Sequence, residues 1–324
     1  MALIKNYNPA FDFLKCIAAI MITNSNFRPL YEEHNPALAT LGVHGNAIFF
    51  FVSGYFLYLS LKRRNYEIPF SEWYLKKIKQ LWLPIIVLAF LAGFFNSDIT
   101  WYDFMPTPWF VKCFLISFPI IFLIIKTQKS FILYLSFILS ILFTICVVAS
   151  YPPQSLSIFH KFHYYCYFPT MLLGVIIAKN KIFMNISFVL SLILTLISFF
   201  SYFVVMKIGK GHIDNSYYTQ LFGYIPLLLF LVFLYKLAHF DWLKYFAETK
   251  CFIPVKIIAR LTFEIYIVQR YIITDLFNSL FPFNTVIVFL LIVLGAYLVK
   301  ICTNLFEQMV TDGNWDVKKA MVIL

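Results

Sequence analysis

The chain has 324 residues, of which 61% are hydrophobic and 13% charged, and its formal net charge is +11 at pH 7. Soluble domains are usually about 45–50% apolar and about a quarter charged, so this composition excludes a water-soluble globular fold. It predicts an integral membrane protein in which the positive charge reports membrane topology and gives no reason to expect nucleic acid as a partner.

About ten apolar runs are long enough, at about 17 residues or more, to cross roughly 30 Å of hydrocarbon. Because these runs are continuously apolar and do not alternate, they favour helices over the strands of a membrane barrel. We therefore predict an all-α, polytopic transmembrane helix bundle of about ten spans, forming a single integral membrane domain over residues 1–324. The predicted spans are 9–27, 41–61, 80–96, 108–125, 131–150, 164–179, 184–206, 217–238, 254–276 and 284–306.

The lysines and arginines are distributed unevenly between the two sides of these spans. Of the 26, 18 fall on the side that holds both termini, and only Arg28, Lys161, Lys207 and Lys210 fall in the opposite segments. Cytoplasmic loops carry the excess of lysine and arginine, so both termini are predicted to be cytoplasmic. The connection 62–79, rich in aromatic and basic residues, suits an interfacial helix at the cytoplasmic leaflet.

The first span contains two charged residues and ends on the polar run TNSN, residues 23–26. Lys15 and Asn26 are almost three helical turns apart, so they share one face about 16 Å apart along the axis. Asp12 and Lys15 have i, i+3 spacing and can neutralise one another. Ionisable groups inside spans often mark functional sites; the alternative is an ion pair at one interface and a polar cap at the other.

The second span begins GVHGNAIFFFVSGYF. His44 lies at its outer start, at about the depth of Asn26, where an interfacial role competes with a catalytic one. Ser53 and Gly54, in the middle of the span, are typical of a point where two helices pack closely.

Lysines cluster just before the third span, in WYLKKIKQLWLP. Two interpretations account for this cluster, which consists of Lys76, Lys77 and Lys79. The lysines anchor the chain at the cytoplasmic face, or alternatively they bind the phosphates of a cofactor presented from the cytoplasm.

The ninth span, with ARLTFEIYIVQRYI, is unusually polar. Arg260 and Glu264 have i, i+4 spacing and can pair. Together with Gln269 and Arg270 they favour a role facing the bundle interior.

The six cysteines are scattered without a CxxC motif, so neither a metal site nor a disulfide is predicted. No cleavable signal peptide is predicted, because the first span contains charged residues and no small-residue cleavage site follows it.

Six motifs in this order resemble the acyltransferase-3 family of polytopic membrane acyltransferases, along most of the chain. They are the Asp-x-x-Lys opening at Asp12, FFFVSGYF, KKIKQLWLP, TPWFVKCF with its Trp109–Phe110 pair, YFPTMLLGVIIAK and LTFEIYIVQ. The resemblance implies that acyl-CoA binds from the cytoplasm and that a histidine, eleven residues after the basic residue of span one, serves acyl transfer to a hydroxyl. Lys15 occupies the basic position, Asn26 the histidine position, and Gln269 a later position where the family often has histidine.

Asparagine can orient a hydroxyl but cannot take up its proton. Three interpretations follow: His44 supplies the base from the neighbouring helix, the acceptor is activated differently while Asn26 orients it, or the chain has kept the fold and lost the chemistry.

The resulting prediction is an inner-membrane O-acyltransferase that moves an acyl group, in the first instance acetyl from acetyl-CoA, to a cell-surface glycan or lipid-linked sugar. Asn26, His44 and Lys15 form the predicted catalytic set, and Lys76, Lys77 and Lys79 the donor-binding set. Predicted supporting residues are Asp12, Ser25, Ser53, Trp109, Glu264 and Gln269. Membrane lipid and the glycan acceptor are expected partners, and a second copy of the chain is a further candidate. The alternative is an inactive relative that assists glycan assembly or transports a lipid or sugar.

Overall fold

Helices make up all the regular structure in the part of the chain that the structure describes, which confirms the predicted all-α fold. The structure is a computed structural model and describes residues 7–93, 101–105, 108–150, 160–180, 185–210, 219–312 and 316–322. In chain order the helices are α1 Pro9–Asn26, α2 Arg28–Tyr31, α3 Gly42–Lys62, α4 Phe70–Gly93, α5 Trp101–Phe104, α6 Trp109–Lys126, α7 Ser130–Ala149, α8 His160–Asn180, α9 Phe188–Lys210, α10 Thr219–Phe222, α11 Tyr224–Leu237, α12 Asp241–Glu248, α13 Ile253–Arg260, α14 Thr262–Ile272, α15 Phe283–Asp312 and α16 Val317–Met321.

Each predicted span corresponds, in its described residues, to one helix or to two consecutive helices. Residues 94–96, 184 and 217–218, which fall within predicted spans, lie outside the described part of the chain. Within the described residues, five helices are long and apolar enough to cross a membrane, and a sixth candidate is the pair α11 and α12, bent by 60°. The figure of about ten spans and the orientation of the termini stay predictions. The ninth span is not continuous, because α13 ends at Arg260 and α14 begins at Thr262.

The helix predicted in the connection 62–79 has different bounds in the structure, and its interfacial position stays a prediction. Residues 63–66 form turns, residues 67–69 are irregular, and α4 begins at Phe70 and runs without a break to Gly93. The lysine cluster therefore belongs to the first turns of α4. The helix begins ten residues before the predicted span because the basic segment has ordinary helix-forming residues and no breaker.

The chain divides into two compact units that alternate along the sequence. Unit 1 comprises Met1–Asn46, Ser71–Lys112 and Phe246–Leu324, and unit 2 comprises Ala47–Phe70 and Cys113–Tyr245. The assignment of a single domain over the whole chain stays a prediction.

The core of unit 1 fixes the C-terminal end of α1 against α14 and α15. Phe27, Leu30 and Tyr31, which follow α1, are buried together with a set of aliphatic side chains: Leu261, Ile265, Val288, Ile292 and Ala296. Two asparagines beyond α14 hold the short helix α2, because Asn278 Nδ2 donates to the carbonyl of Pro29 at 3.0 Å and Asn284 Nδ2 to that of Leu30 at 3.1 Å. The segment that follows Asn26 is therefore held both by apolar packing and by hydrogen bonds.

Glycines allow two helices of unit 2 to approach closely. A Cβ atom on Gly54 of α3 would overlap the carbonyl group of Met171 on α8, and one on Gly174 of α8 would overlap the carbonyl of Phe51. This confirms the close-packing point predicted at Ser53 and Gly54.

Candidate active site

Asn24, the second residue of the TNSN run that ends α1, has a structural role. Asn24 Nδ2 donates to the carbonyls of Leu38 at 2.8 Å and Thr40 at 3.4 Å, and Asn24 Oδ1 accepts from the hydroxyl of Tyr31 at 2.7 Å. Asn24 thus ties the segment before α3 and the end of α2 to α1. An aliphatic residue here would leave those groups without this partner.

Ser25 lies where α1 meets the start of α3. Its hydroxyl donates to the carbonyl of Ile22 at 2.7 Å, and a Cβ atom on Gly42 would come within 2.5 Å of Ser25 Oγ. A Cβ atom on Gly45 would come within 2.9 Å of the carbonyl oxygen of Ala18. The predicted supporting role of Ser25 is therefore one of helix contact.

Asn26 presents its amide oxygen away from α1. Its Nδ2 donates to the carbonyl of Ile22 at 3.1 Å, and since a carbonyl can only accept, this bond fixes which end of the amide faces the helix. Asn26 Oδ1 accepts no hydrogen bond from the described part of the chain. Because α1 is continuous, the predicted placement of Asn26 on the same face as Lys15 is confirmed.

Asn26 borders a cavity of about 540 Å³ whose described lining residues all belong to unit 1. Its walls come from the ends of α1 and α14, from the middle of α4, and from α5 and the start of α6. The lining residues are Asn26, Pro29, Ile85, Leu88, Asp103, Pro108, Tyr266, Ile267, Gln269, Arg270, Tyr271 and Ile273. The volume is in the range of small-molecule sites.

Gln269 contributes a second amide to the same cavity. The residue is 4% exposed, and its Oε1 is buried without a hydrogen-bond partner among the described residues. Leaving a buried polar group unsatisfied costs about 1–3 kcal/mol, so it calls for a reason other than stability.

An ion pair forms the charged part of the cavity wall. Arg270 Nη2 lies 2.7 Å from Asp103 Oδ1, and the hydroxyl of Tyr271 contacts both residues. α5, which carries Asp103, is also held by Trp82, whose Nε1 donates to the carbonyl of Phe104 at 2.7 Å. Asp103 was not predicted from the sequence, where its only local signal is an isolated acid among aromatic residues in WYDF.

The Trp109–Phe110 pair lies next to the cavity. Pro108 is part of the lining, and the ring of Phe110 stacks on that of Tyr266 with centroids 4.5 Å apart. Trp109 is half-buried, with its ring edge-on to Phe110 at 6.0 Å. Its predicted supporting role is therefore indirect, through the rings that border the site.

His44 is fully buried and is not among the described residues that line the cavity. On α3, the contacts with α1 are made at Gly42 and Gly45. At about 100° per residue, His44 projects roughly 130° around the helix from the direction midway between those two glycines. The structure thus does not bring His44 onto the wall where Asn26 lies, and its role as a substitute base stays a prediction.

Several charged residues lie near Lys15, towards the N-terminal end of α1. The hydroxyl of Tyr7 donates to Asp12 Oδ2 at 2.6 Å, and the charges of Asp12 and Arg260 both act on Lys15. Burial, and then the hydrogen bond to Asp12, raise the pKa of Tyr7, so this phenol stays protonated and donates. Lys256 lies over the ring of Tyr7 at 5.2 Å.

The three lysines of α4 differ in their surroundings. Lys76 and Lys79 are exposed, whereas Lys77 is half-buried and donates to Gln80 Oε1 at 3.3 Å. Burial, and then the charge of Lys76, lower the pKa of Lys77 below its ordinary value. Their role in donor binding stays a prediction.

Glu264 pairs with Lys300 of α15, with Lys300 Nζ 3.0 Å from Glu264 Oε1, and the predicted pairing with Arg260 is wrong. The break at Leu261 separates α13 from α14, so the i, i+4 relation of a continuous helix does not hold. The residues predicted to face the interior also differ in burial, since Glu264 and Gln269 are buried while Arg260 is exposed.

Ser53 is half-buried and its hydroxyl donates to the carbonyl of Phe49 at 2.8 Å, within its own helix.

Comparison with protein-family models gives a match over residues 8–304 to an acyltransferase domain, that of the acyltransferase-3 family. No curated protein and no solved structure matches the chain.

Proposed function

The chain belongs to the acyltransferase-3 family and is a multi-pass membrane acyltransferase, and we propose that it transfers an acetyl group from acetyl-CoA to a hydroxyl of a cell-surface glycan or lipid-linked sugar. The proposed location is the inner membrane, with both termini in the cytoplasm. The observation that carries the proposal is the pair of amides, Asn26 and Gln269, on the wall of one cavity.

These amides suit an acceptor rich in hydroxyl groups. Asn26 Oδ1 and Gln269 Oε1 are acceptors without donors in the described part of the chain. A sugar offers several O–H donors at once, and Tyr266 and Tyr271 add aromatic surface against which a sugar ring can pack.

The charges on the cavity wall favour an acceptor that is neutral where it binds. Arg270 is balanced by Asp103 at 2.7 Å, and these are the charged residues among the described lining residues. An anionic acceptor would have to compete with Asp103 for Arg270, which a neutral polyol does not require.

The donor is proposed to bind at the opposite end of α1. Lys15 and Arg260 are like charges close enough to act on one another, with Asp12 as the one described acid in this group. A phosphate-bearing donor relieves that repulsion, and Lys76, Lys77 and Lys79 extend the positive charge of unit 1. The arm of the donor that carries the thioester then has to span the roughly 16 Å that separates Lys15 from Asn26 along α1.

In the proposed reaction the acceptor oxygen attacks the carbonyl carbon of the thioester, and the C–S bond breaks. The hydroxyl proton passes to a base, and the CoA thiolate leaves and is protonated. Asn26 Oδ1 would orient the hydroxyl through a hydrogen bond. Asp103 is the described carboxylate on the cavity wall and is proposed as the proton acceptor, with His44 as the second candidate.

The alternative is a relative that binds its glycan or lipid ligand without acyl transfer. It is favoured by a specific observation: both positions at which the family resemblance leads us to expect histidine carry amides, Asn26 and Gln269, and both border the same cavity. Amides keep hydrogen bonding to hydroxyls while removing a group that titrates near neutral pH.

The test uses purified full-length protein in lipid nanodiscs with acetyl-CoA carrying a radioactive acetyl group. Release of free CoA thiol that depends on an added sugar or glycan, with label recovered in the acceptor, is expected for the acyltransferase. Saturable sugar binding with no consumption of the thioester would instead establish the binding alternative. Asp103→Asn should abolish transfer while leaving sugar binding in place.

A further inference from the structure

The described lining residues of a second, smaller cavity of about 120 Å³ all belong to unit 2. It lies where α3, α6 and α8 end and α7 begins. The Lys/Arg pattern predicts this side to be cytoplasmic. Its polar lining residues are Tyr58, Tyr66, Gln128, Lys129 and Lys179.

The rim of this cavity consists of hydrogen-bond donors. Lys179 Nζ donates to the carbonyl of Gln128 at 2.6 Å, which occupies one of its three N–H groups. Tyr66 donates to the hydroxyl oxygen of Tyr58 at 3.3 Å, so the proton of Tyr58 is left to donate elsewhere. The ammonium group of Lys129 makes no hydrogen bond with a described residue.

The charge around the cavity is positive. No aspartate or glutamate is among the described residues that line it, whereas Lys129 and Lys179 are. Lys62 lies over the ring of Tyr58 at 5.9 Å and adds a third cation nearby. Such a donor set has the chemistry of an anion site.

The floor of the cavity is apolar and its size is limited. Leu133 and Val175 are buried, and Ile124 and Ile125 complete the floor. A volume of about 120 Å³ is well below the roughly 300–1,000 Å³ of pockets that enclose whole small-molecule ligands, so it suits a compact group such as one tetrahedral oxyanion.

The two connections that form the rim have unusual backbone conformations. Tyr66 has φ 62° and Gln128 has φ 57°, in the left-handed region that side-chain-bearing residues seldom adopt. Such conformations persist where the surrounding structure holds them. The rim is therefore a preformed feature of this fold.

We propose that this cavity binds the phosphate group of a phosphate ester at the cytoplasmic side of unit 2. Lys129 and Lys179 contact the phosphate oxygens, the hydroxyl of Tyr58 donates to a third, and the apolar floor lies beside the esterified carbon. Basic pockets between transmembrane helices on this side bind the headgroups of anionic lipids, and a soluble phosphate ester offers the same group.

The test measures thermal unfolding of the full-length protein in neutral detergent, titrated with short-chain phosphatidylglycerol, the matching phosphatidylcholine, or inorganic phosphate. The wild type should be stabilised by phosphatidylglycerol or by phosphate, and Lys129→Gln/Lys179→Gln should weaken the apparent affinity at least about tenfold. Lys126→Gln/Lys244→Gln is the matched control, because it removes two lysines of unit 2 that do not line the cavity.

The titrations also distinguish the two sources of phosphate. A response to phosphatidylglycerol with none to inorganic phosphate assigns a lipid headgroup, and an equal response to both assigns a soluble ester. If the double variant folds poorly, Lys129→Glu reverses an exposed charge without breaking a described side-chain hydrogen bond and should abolish the response. The proposal is overturned if both cavity variants respond as the wild type does, or if the control loses the response equally.

Discussion

The side-chain amides of Asn26, at the end of α1, and Gln269, in the last turns of α14, border one cavity, and neither amide oxygen accepts a hydrogen bond from the described part of the chain. Asn26 is exposed, whereas Gln269 is buried, and leaving its buried acceptor unsatisfied costs about 1–3 kcal/mol. Both amides are therefore candidates for ligand recognition in this cavity.

Asn26→His should raise acetyl transfer by about 100-fold or more if a base is what the site lacks, since general acid–base help is typically about 10²–10⁴-fold. The gain should appear as pH rises through about 6.5, where imidazole becomes neutral and able to accept a proton. The measurement is the pH profile of kcat for thiol release. Asn26→Gln is the control, because it keeps an amide and adds no base.

His44→Ala in the original background distinguishes His44 from Asp103, the two candidate bases. Loss of existing activity, partly restored by Asn26→His, would identify His44 as the working base. A reduced activity in Asn26→His from an active parent would show that Asn26 itself is a functional part of the site.

Gln269→Leu should raise the KM for the acceptor, or its Kd, while the melting temperature stays the same or increases. The reason is that leucine removes a buried acceptor without a described partner and keeps most of the volume. Asn284→Leu is the matched control, since Asn284 is also buried but its amide donates to Leu30 and Asn278. It should lower the melting temperature. A comparable loss of stability in Gln269→Leu would show that Gln269 is structural.

Replacing Lys76, Lys77 and Lys79 together with glutamine should weaken CoA binding, and the effect should shrink at high salt. The lowered pKa of Lys77 means that its charge is present at low pH and lost on raising the pH sooner than for an ordinary lysine. Binding measured by isothermal titration should therefore weaken with rising pH earlier in the wild type than in Lys77→Arg. The triple change of Lys62, Arg63 and Arg64 to glutamine is the charge-matched control. Unchanged CoA binding in low salt would leave the α4 lysines as membrane anchors alone.

Gly54→Ala should strongly destabilise the protein, because the added methyl group would overlap the main chain of Met171, which cannot rotate away. Gly295→Ala is the milder comparison, since its Cβ would meet the side-chain ends of Ile272 and Val268. Thermal unfolding in detergent should show a clearly larger fall for Gly54→Ala. Equal falls would contradict the close contact between α3 and α8.

Lys300→Met should destabilise unit 1 by about 3–5 kcal/mol, because it leaves the buried carboxylate of Glu264 without its cation. The double change Glu264→Leu/Lys300→Met should recover most of that loss. A double-mutant cycle in thermal unfolding measures the coupling, with Arg260→Gln as a control that should be near neutral. If the double variant is stable and yet inactive, Glu264 has a role in the reaction beyond pairing.

The sequence by itself determined the features that depend on local periodicity and composition. Continuous apolar runs require helices in a membrane, because each backbone N–H and C=O must be satisfied within its own segment. The spacing of Lys15 and Asn26 placed them on one face of α1, and the small residues at Ser53 and Gly54 marked the close helix contact.

Only the tertiary structure decided which of those faces meet. Gln269 joins Asn26 across nearly the whole chain, and Asp103 pairs with Arg270 although nothing near either residue in the sequence points to the other. The break at Leu261 lies inside an apolar run and removed the expected partner of Glu264. A local pattern specifies which side of a helix is polar, but the partner of that side depends on packing between segments distant in sequence and on where a helix is interrupted.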